Sequence, residues 1–217
     1  MQLFYCPIVI NNSSYLCSEE SNHCVKVLRK KLGDIINLID GCGNFYEARI
    51  TISSVNKVVF EVLRTWQDPP RPYSLHIAIA PTKNNDRFEW FLEKTTEIGI
   101  DEITPLICEH SERKVIKKER FERILLAATK QSLKAKLPKL NQSISFSNFV
   151  NNNYNDRNCF IAHCNPGHKT NLQNVISSNS IILIGPEGDF SSKEINLALN
   201  NNLSSLLAMI SLIISIA

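Results

Sequence analysis

The chain has 217 residues, 43% hydrophobic and 21% charged, an ordinary globular composition that can bury the core of one large domain or two modest ones. Its formal charge is only +3, yet residues 113–139 hold ten Lys or Arg against Glu119 and Glu122, a local +8 that leaves −5 elsewhere; such asymmetry points to an anionic partner, nucleic acid first. Seven cysteines without a Cys-x-x-Cys pair exclude a disulfide framework, no apolar run reaches the roughly 18 residues of a membrane span, and no charge precedes Glu19 as a secretory signal requires, so a soluble cytoplasmic protein is expected.

From Leu3 to Leu63 the pattern is mostly strand. Ile35 to Ile39 forms one, Asp40-Gly41-Cys42-Gly43 a hairpin turn, and Tyr46, Ala48, Ile50 and Ile52 alternate with polar residues in a second. Val58, Phe60 and Val62 continue the alternation in a third strand, and about His23 to Lys31 should be helical. Residues 1–70 therefore read as a small β-barrel domain, closed off by Asp68-Pro69-Pro70-Arg71-Pro72, which cannot pair in a sheet.

After this linker strands and helices alternate. Leu75 to Ile79 is a strand; Phe88, Leu92, Thr95 and Ile98 recur at helical spacing behind a cap at Asn84 or Asn85, and Gly99 ends that helix. Along it, Glu97 lies one turn after Lys94, as an internal ion pair would require. Ile103 to Ile107 is a strand, and Glu119 to Lys136 is a helix with Phe121, Leu125 and Ala128 inward. The Asn-rich stretch Asn148 to Asn158 is expected to be an exposed loop without chemistry. Cys159 to Ala162 is a strand and Asn171 to Ile176 a short helix. This alternation calls for a largely parallel sheet covered on both faces.

The most informative stretch is Ile181 to Ser191. Four aliphatic residues read as a doubly buried strand, after which Gly185 and Gly188 let backbone come close to a ligand and Pro186 stiffens the turn. Ser191 and Glu194 have capping-box spacing, so a helix follows. Ligands in open α/β sheets sit beyond the carboxyl ends of strands, where this loop lies. The sequence contains no nucleophile elbow, Walker loop, His-Glu-x-x-His or dinucleotide fingerprint. Cys159, His163, Cys164 and His168 fit no common zinc spacing, and no metal is expected.

Several segments occur in a telling order: Lys83 to Glu89, Glu93 to Gly99 with Ile103-Thr104-Pro105, Lys130-Gln131-Ser132 with Pro138, and Ile184 to Gly188. Together they resemble the signatures of the ribosomal small subunit methyltransferase E family, of the SPOUT class of knotted α/β methyltransferases; His23 to Arg29, Gly33-Asp34 and Asp40-Gly41 resemble its PUA-like barrel. The resemblance covers about residues 1 to 203. It implies a PUA-like domain over 1–70, a SPOUT methyltransferase domain over 71–217, and a homodimer that methylates N3 of a uridine in 16S ribosomal RNA from S-adenosylmethionine. By the family pattern Gly185, Pro186, Glu187 and Gly188 line the cofactor pocket, with His163 at the neighbouring strand end. Arg29, Lys83, Arg87, Arg113, Lys130 and Lys134 are the candidate phosphate contacts, on the expectation that cations four apart share one helical stripe. No catalytic residue is assigned.

Family members continue past the last helix into a segment of the form Leu-Gly-x-Arg-x-Leu-Arg-Thr-Glu-Thr-Ala, which supplies the other wall of the pocket and completes the knot. Here residues 204–217 are uncharged and contain neither Gly nor Arg. The expectation is a truncated or frame-shifted end and an incomplete knot, with a natural apolar tail packing on a partner as the other possibility. An inactive RNA-binding protein that keeps the barrel and basic helix is therefore the alternative to an enzyme.

Overall fold

The computed structural model describes residues 1–9, 13–152, 154, 156–166, 169–175 and 179–207. These fall into two compact units, Met1–Pro70 with Leu125–Leu137, and Arg71–Ile124 with the chain from Pro138 on.

In the first unit β1 (Leu3–Tyr5), β2 (Ser13–Tyr15), β3 (Ile35–Ile39), β4 (Asn44–Ile52) and β5 (Val59–Gln67) form one sheet in the order β1-β3-β4-β5-β2. The hairpin turn between β3 and β4 is held by Asp40, whose Oδ1 accepts the N–H groups of Cys42 at 2.7 Å and Asn44 at 3.1 Å. One face of the sheet buries Phe4, Ile36, Leu38, Ala48, Ile50 and Phe60. The other buries Leu3, Ile39 and Phe45, with Phe45 stacked on Trp66 at 5.4 Å. Each fully buried aliphatic or aromatic side chain contributes about 1.5–3 kcal/mol. Ile52, expected to face inward, is 56% exposed. Register slips between Ile50 and Ile52, where two steps along β4 match one along β5, so Ile52 leaves the inward face. The helical stretch also begins earlier than expected: α1 (Ser18–Asn22) runs into one π turn, His23–Val27, and the chain breaks away at Arg29, whose φ is 54°.

In the second unit β6 (Ser74–Ile79), α2 (Asn85–Ile98), β7 (Glu102–Ile107), α3 (Lys118–Gln131, passing to the first unit at Leu125), β8 (Lys139–Leu140), β9 (Ile144–Ser145), α4 (Phe146–Val150), β10 (Asn158–His163), α5 (Leu172–Val175), β11 (Asn179–Ile184), α6 (Ser192–Asn200) and β12 (Ser204–Leu207) follow in turn. All described strand pairings here are parallel, in the order β12-β10-β11-β6-β7-β8, with β9 also on β7. Ser180 to Ile184 are all buried, as a central strand covered on both faces requires.

Helix α2 is capped by Asn84, whose side chain accepts the Asp86 N–H, and ends on Gly99 at φ 108°. Its inward face is Phe88, Phe91, Leu92 and Thr96; Ile98 is instead 80% exposed, because it falls off that stripe by one position. Lys94 pairs with Glu97 at 2.9 Å, as the spacing predicts. Helix α3 stops at Gln131 rather than Lys136, and Leu133 has φ 55°. The expected loop at 148–158 opens within a helix: α4 buries Phe146, Phe149 and Val150 and is capped by Ser145. Ser204–Leu207, which carries no strand signal beyond a short apolar run, pairs with Phe160–His163 as the edge strand. Ile176 and residues 208–217 lie outside the described residues.

Candidate functional site

Strands β6 and β11 are neighbours, yet the chain leaves β6 toward β7 on one side and β11 toward β12 on the other. Such a reversal opens a crevice at the carboxyl ends of the two strands, where open α/β sheets hold ligands. The loop after β11 lies there. A Cβ on Gly185 would stand 3.1 Å from the Phe190 ring and 3.2 Å from the Phe190 backbone nitrogen, so glycine spares the chain a tight contact where it folds over this buried side chain. Pro186 is buried, and its carbonyl accepts the Asp189 N–H at 2.9 Å, closing the turn.

Exits of three other strands grip this turn. Lys83, after β6, donates its N–H to Glu187 Oε1 at 2.9 Å. Cys164, after β10, donates its N–H to Asp189 Oδ2 at 2.7 Å, while Asp189 Oδ1 accepts the Phe190 N–H at 2.8 Å. His110, after β7, lies with Nδ1 3.1 Å from the Gly188 carbonyl and 3.0 Å from that of Asp189. Asp189 itself has φ 60°, a conformation Asp tolerates better than most side chains. The N–H groups of Glu187 and Gly188 take no partner among the described residues, so the tip of the turn presents two donors.

His163 closes β10 beside this loop and is 4% exposed. Its Nε2 lies 3.0 Å from Ser205 Oγ on β12, and its Nδ1 is buried without a partner among the described residues. Burial, reinforced by the Lys169 cation, lowers its pKa despite Asp189, so the ring is neutral at pH 7. A buried nitrogen left without a partner is costly unless something bound supplies one. The fixed turn, its two unpartnered donors and this nitrogen are thus the features of the edge that suit a small polar ligand. Sequence reasoning missed Asp189 and His110. A turn Asp next to Gly is one readable signal of a left-handed position, and a His three residues past a parallel strand is another pointer to the carboxyl edge.

A cavity of about 610 Å³ lies at the opposite, amino ends of the strands, lined by His76, Glu102, Thr104, Asn141, Tyr154 and Arg157 among others. Its polar groups serve one another. Thr104 Oγ1 meets His76 Nε2 and Asn141 Nδ2, each at 2.7 Å, and Glu102 accepts from Asn141 at 2.8 Å and Arg157 at 3.2 Å. Burial holds the His76 pKa at about 4. Burial alone would raise that of Glu102, but the Asn141 hydrogen bond and the neighbouring His76, Lys139 and Arg157 bring it to about 2. This network ties together the starts of β6, β7 and β10; Arg157, from the stretch expected to be an exposed loop, belongs to it, and Tyr154 lines the cavity beside Phe149.

The sequence profile of the RNA methyltransferase domain family matches residues 69–207, and that of the RNA methyltransferase PUA domain matches residues 16–63. The chain belongs to the RNA methyltransferase family. Within it the chain is of the small subunit methyltransferase E type, a PUA-like domain followed by a SPOUT-class α/β domain. It is 29% identical over 182 residues to ribosomal RNA small subunit methyltransferase E of Mesomycoplasma hyopneumoniae, covering 82% of this chain and 77% of that one. Among solved structures it is 38% identical to a probable rRNA-methyltransferase from Porphyromonas gingivalis, with TM-score 0.86 and 95% and 89% of the two chains covered. It is 25% identical to a putative methyltransferase from Legionella pneumophila in complex with the bound cofactor S-adenosylmethionine, with TM-score 0.82 and coverage of 94% and 88%.

For an RNA methyltransferase the disposition of cations matters, and the structure divides the six candidates. Arg87, on the first turn of α2, is exposed without an ion pair among the described residues. Lys83 is exposed but pairs with Glu112 at 2.8 Å. Arg113 turns inward to hydrogen-bond the Asn85 side chain and the Lys83 carbonyl, fixing the loop that reaches Glu187. In the first unit Arg29 is exposed and Lys134 half-buried, whereas Lys130 is held by Glu20 at 2.6 Å, with the two side chains only 20% and 9% exposed. The expected four-apart stripes do not form. Lys83 precedes α2 and Lys134 follows α3, so neither pair shares a helix.

Proposed function

We propose that the chain transfers the methyl group of S-adenosylmethionine to N3 of a uridine in 16S ribosomal RNA, as a homodimer in the cytoplasm. The observation that carries this reading is the turn Gly185–Asp189, gripped from three strand exits at the sheet's reversal, with the unpartnered Nδ1 of His163 beside it. The bound cofactor of the Legionella relative supports it. Residues 1–70 and 71–217 are taken as the RNA-binding and methyltransferase domains.

His163 and the turn Gly185–Gly188 would hold the cofactor, the N–H groups of Glu187 and Gly188 meeting its acceptor atoms. When bound, the cofactor supplies an already activated methyl group, so no metal chemistry is required of the protein. The remaining task of the chain is alignment. The rigid turn fixes where a donor can lie, and exposed cations such as Arg87 and Arg29 meet phosphates and set the register of the RNA.

Calorimetry on the full chain tests this first. Binding of S-adenosylmethionine that is abolished in Gly188→Trp is expected. Small-subunit RNA binding without any cofactor binding would instead establish the inactive RNA-binding protein.

A further inference from the structure

We propose that His110 is a positioning residue of the cofactor turn, setting the two peptide planes that follow Gly188 and Asp189. This rests on the reading that the turn holds S-adenosylmethionine. Both neighbours of Nδ1, at 3.1 and 3.0 Å, are carbonyl oxygens, which only accept. Nδ1 therefore carries the proton, and one N–H is shared between consecutive carbonyls. With those carbonyls turned toward His110, the Asp189 N–H points back to Pro186 and the Phe190 N–H to the Asp189 side chain. The N–H groups of Glu187 and Gly188, in the two preceding peptide planes, take no partner among the described residues.

Packing supports the same role independently. A Cβ on Gly188 would stand 3.3 Å from His110 Cβ and 3.7 Å from Cγ, so the imidazole lies against the bare face of Gly188. Glycine at this position leaves room for the histidine. Of the three grips on the turn, those from Lys83 and Cys164 use main-chain donors, whereas that from His110 is a side chain outside the turn. It can be removed without altering any residue of the turn, and His110 is exposed, so folding should tolerate the change.

The test compares wild type, His110→Ala, His110→Asn and His110→Gln in calorimetry with S-adenosylmethionine and in amide hydrogen exchange of the unliganded chain. Asn places an amide nitrogen where Nδ1 stands; Gln places it one atom further out. Loss of the clamp should weaken cofactor binding about tenfold in the alanine variant. Exchange at Asp189 and Phe190 should quicken, with Asn restoring both readouts and Gln neither. Alanine binding and exchanging like wild type would overturn the role of His110, as would equal rescue by Asn and Gln. If wild type binds no cofactor, the functional reading fails, and exchange at the turn still decides the clamp.

Discussion

Asp189 reaches from the loop after β11 to the backbone N–H of Cys164 at 2.7 Å, joining the exits of two adjacent parallel strands. Its other oxygen caps the Phe190 N–H, and its backbone occupies the left-handed region at φ 60°. One side chain thus fixes both the shape of the turn and its attachment to the strand that ends in His163.

Asp189→Ala removes both acceptors and leaves a residue that tolerates φ 60° poorly. Charge-assisted hydrogen bonds contribute about 1.5–3 kcal/mol each, so cofactor affinity is expected to fall at least tenfold. Asp189→Asn keeps an acceptor and the left-handed tolerance and should fall between. Calorimetry with S-adenosylmethionine reads both.

Gly185→Ala should act on stability before function. Its Cβ would meet the Phe190 ring at 3.1 Å and the Phe190 nitrogen at 3.2 Å, and the nitrogen cannot step aside without moving the turn. A loss of about 1–3 kcal/mol in denaturant unfolding is expected.

Acid should weaken the second unit through the His76–Glu102 network. Between pH 6.5 and about 4 the unfolded chain protonates His76 while the folded chain does not, so stability falls as pH drops through that window. Glu102 contributes fully above 4.5 and loses its contribution as pH falls toward about 2. Both effects have the same sign. The expected loss from pH 7 to pH 4 is on the order of 2 kcal/mol, measured as a falling denaturant midpoint. His76→Gln should flatten the upper part of the profile.

The cations separate by role. Arg87→Ala should weaken RNA binding uniformly across sequences and reduce the salt slope by about one. Lys130→Ala should chiefly destabilise, because it leaves Glu20, 9% exposed, as a buried carboxylate without its partner. Filter binding over a salt series, set beside thermal unfolding, distinguishes the two.

Much of the sheet was legible because local chemistry and packing agree. The run Ile181 to Ile184, the Ser191–Glu194 capping box, the Asn84 cap and the Gly99 stop each act within a few residues. What escaped depends on distant partners. The helix at 146–150 hides in Asn-rich sequence because its stabilisation comes from Phe146 and Phe149 entering a core built by other elements. Ser204–Leu207 is a strand only because Phe160–His163 offers an unpaired edge. At the site, the two glycines and Pro186 could be read from the sequence, whereas the hold of His110 on the turn joins residues 78 and 79 positions apart. Charge was legible only in sum: Lys118, Arg120, Lys130 and Lys139 are engaged by Glu122, Glu89, Glu20 and Glu102, which no count of basic residues reveals.

The most direct measurement is the nucleoside product. The full chain is incubated with isotopically methyl-labelled S-adenosylmethionine and small ribosomal subunits lacking base methylation, and the digested 16S RNA is resolved by mass spectrometry. Labelled 3-methyluridine formed by wild type and absent with Gly188→Trp is the predicted result. Label on any other nucleoside, or none despite bound RNA and cofactor, would contradict it.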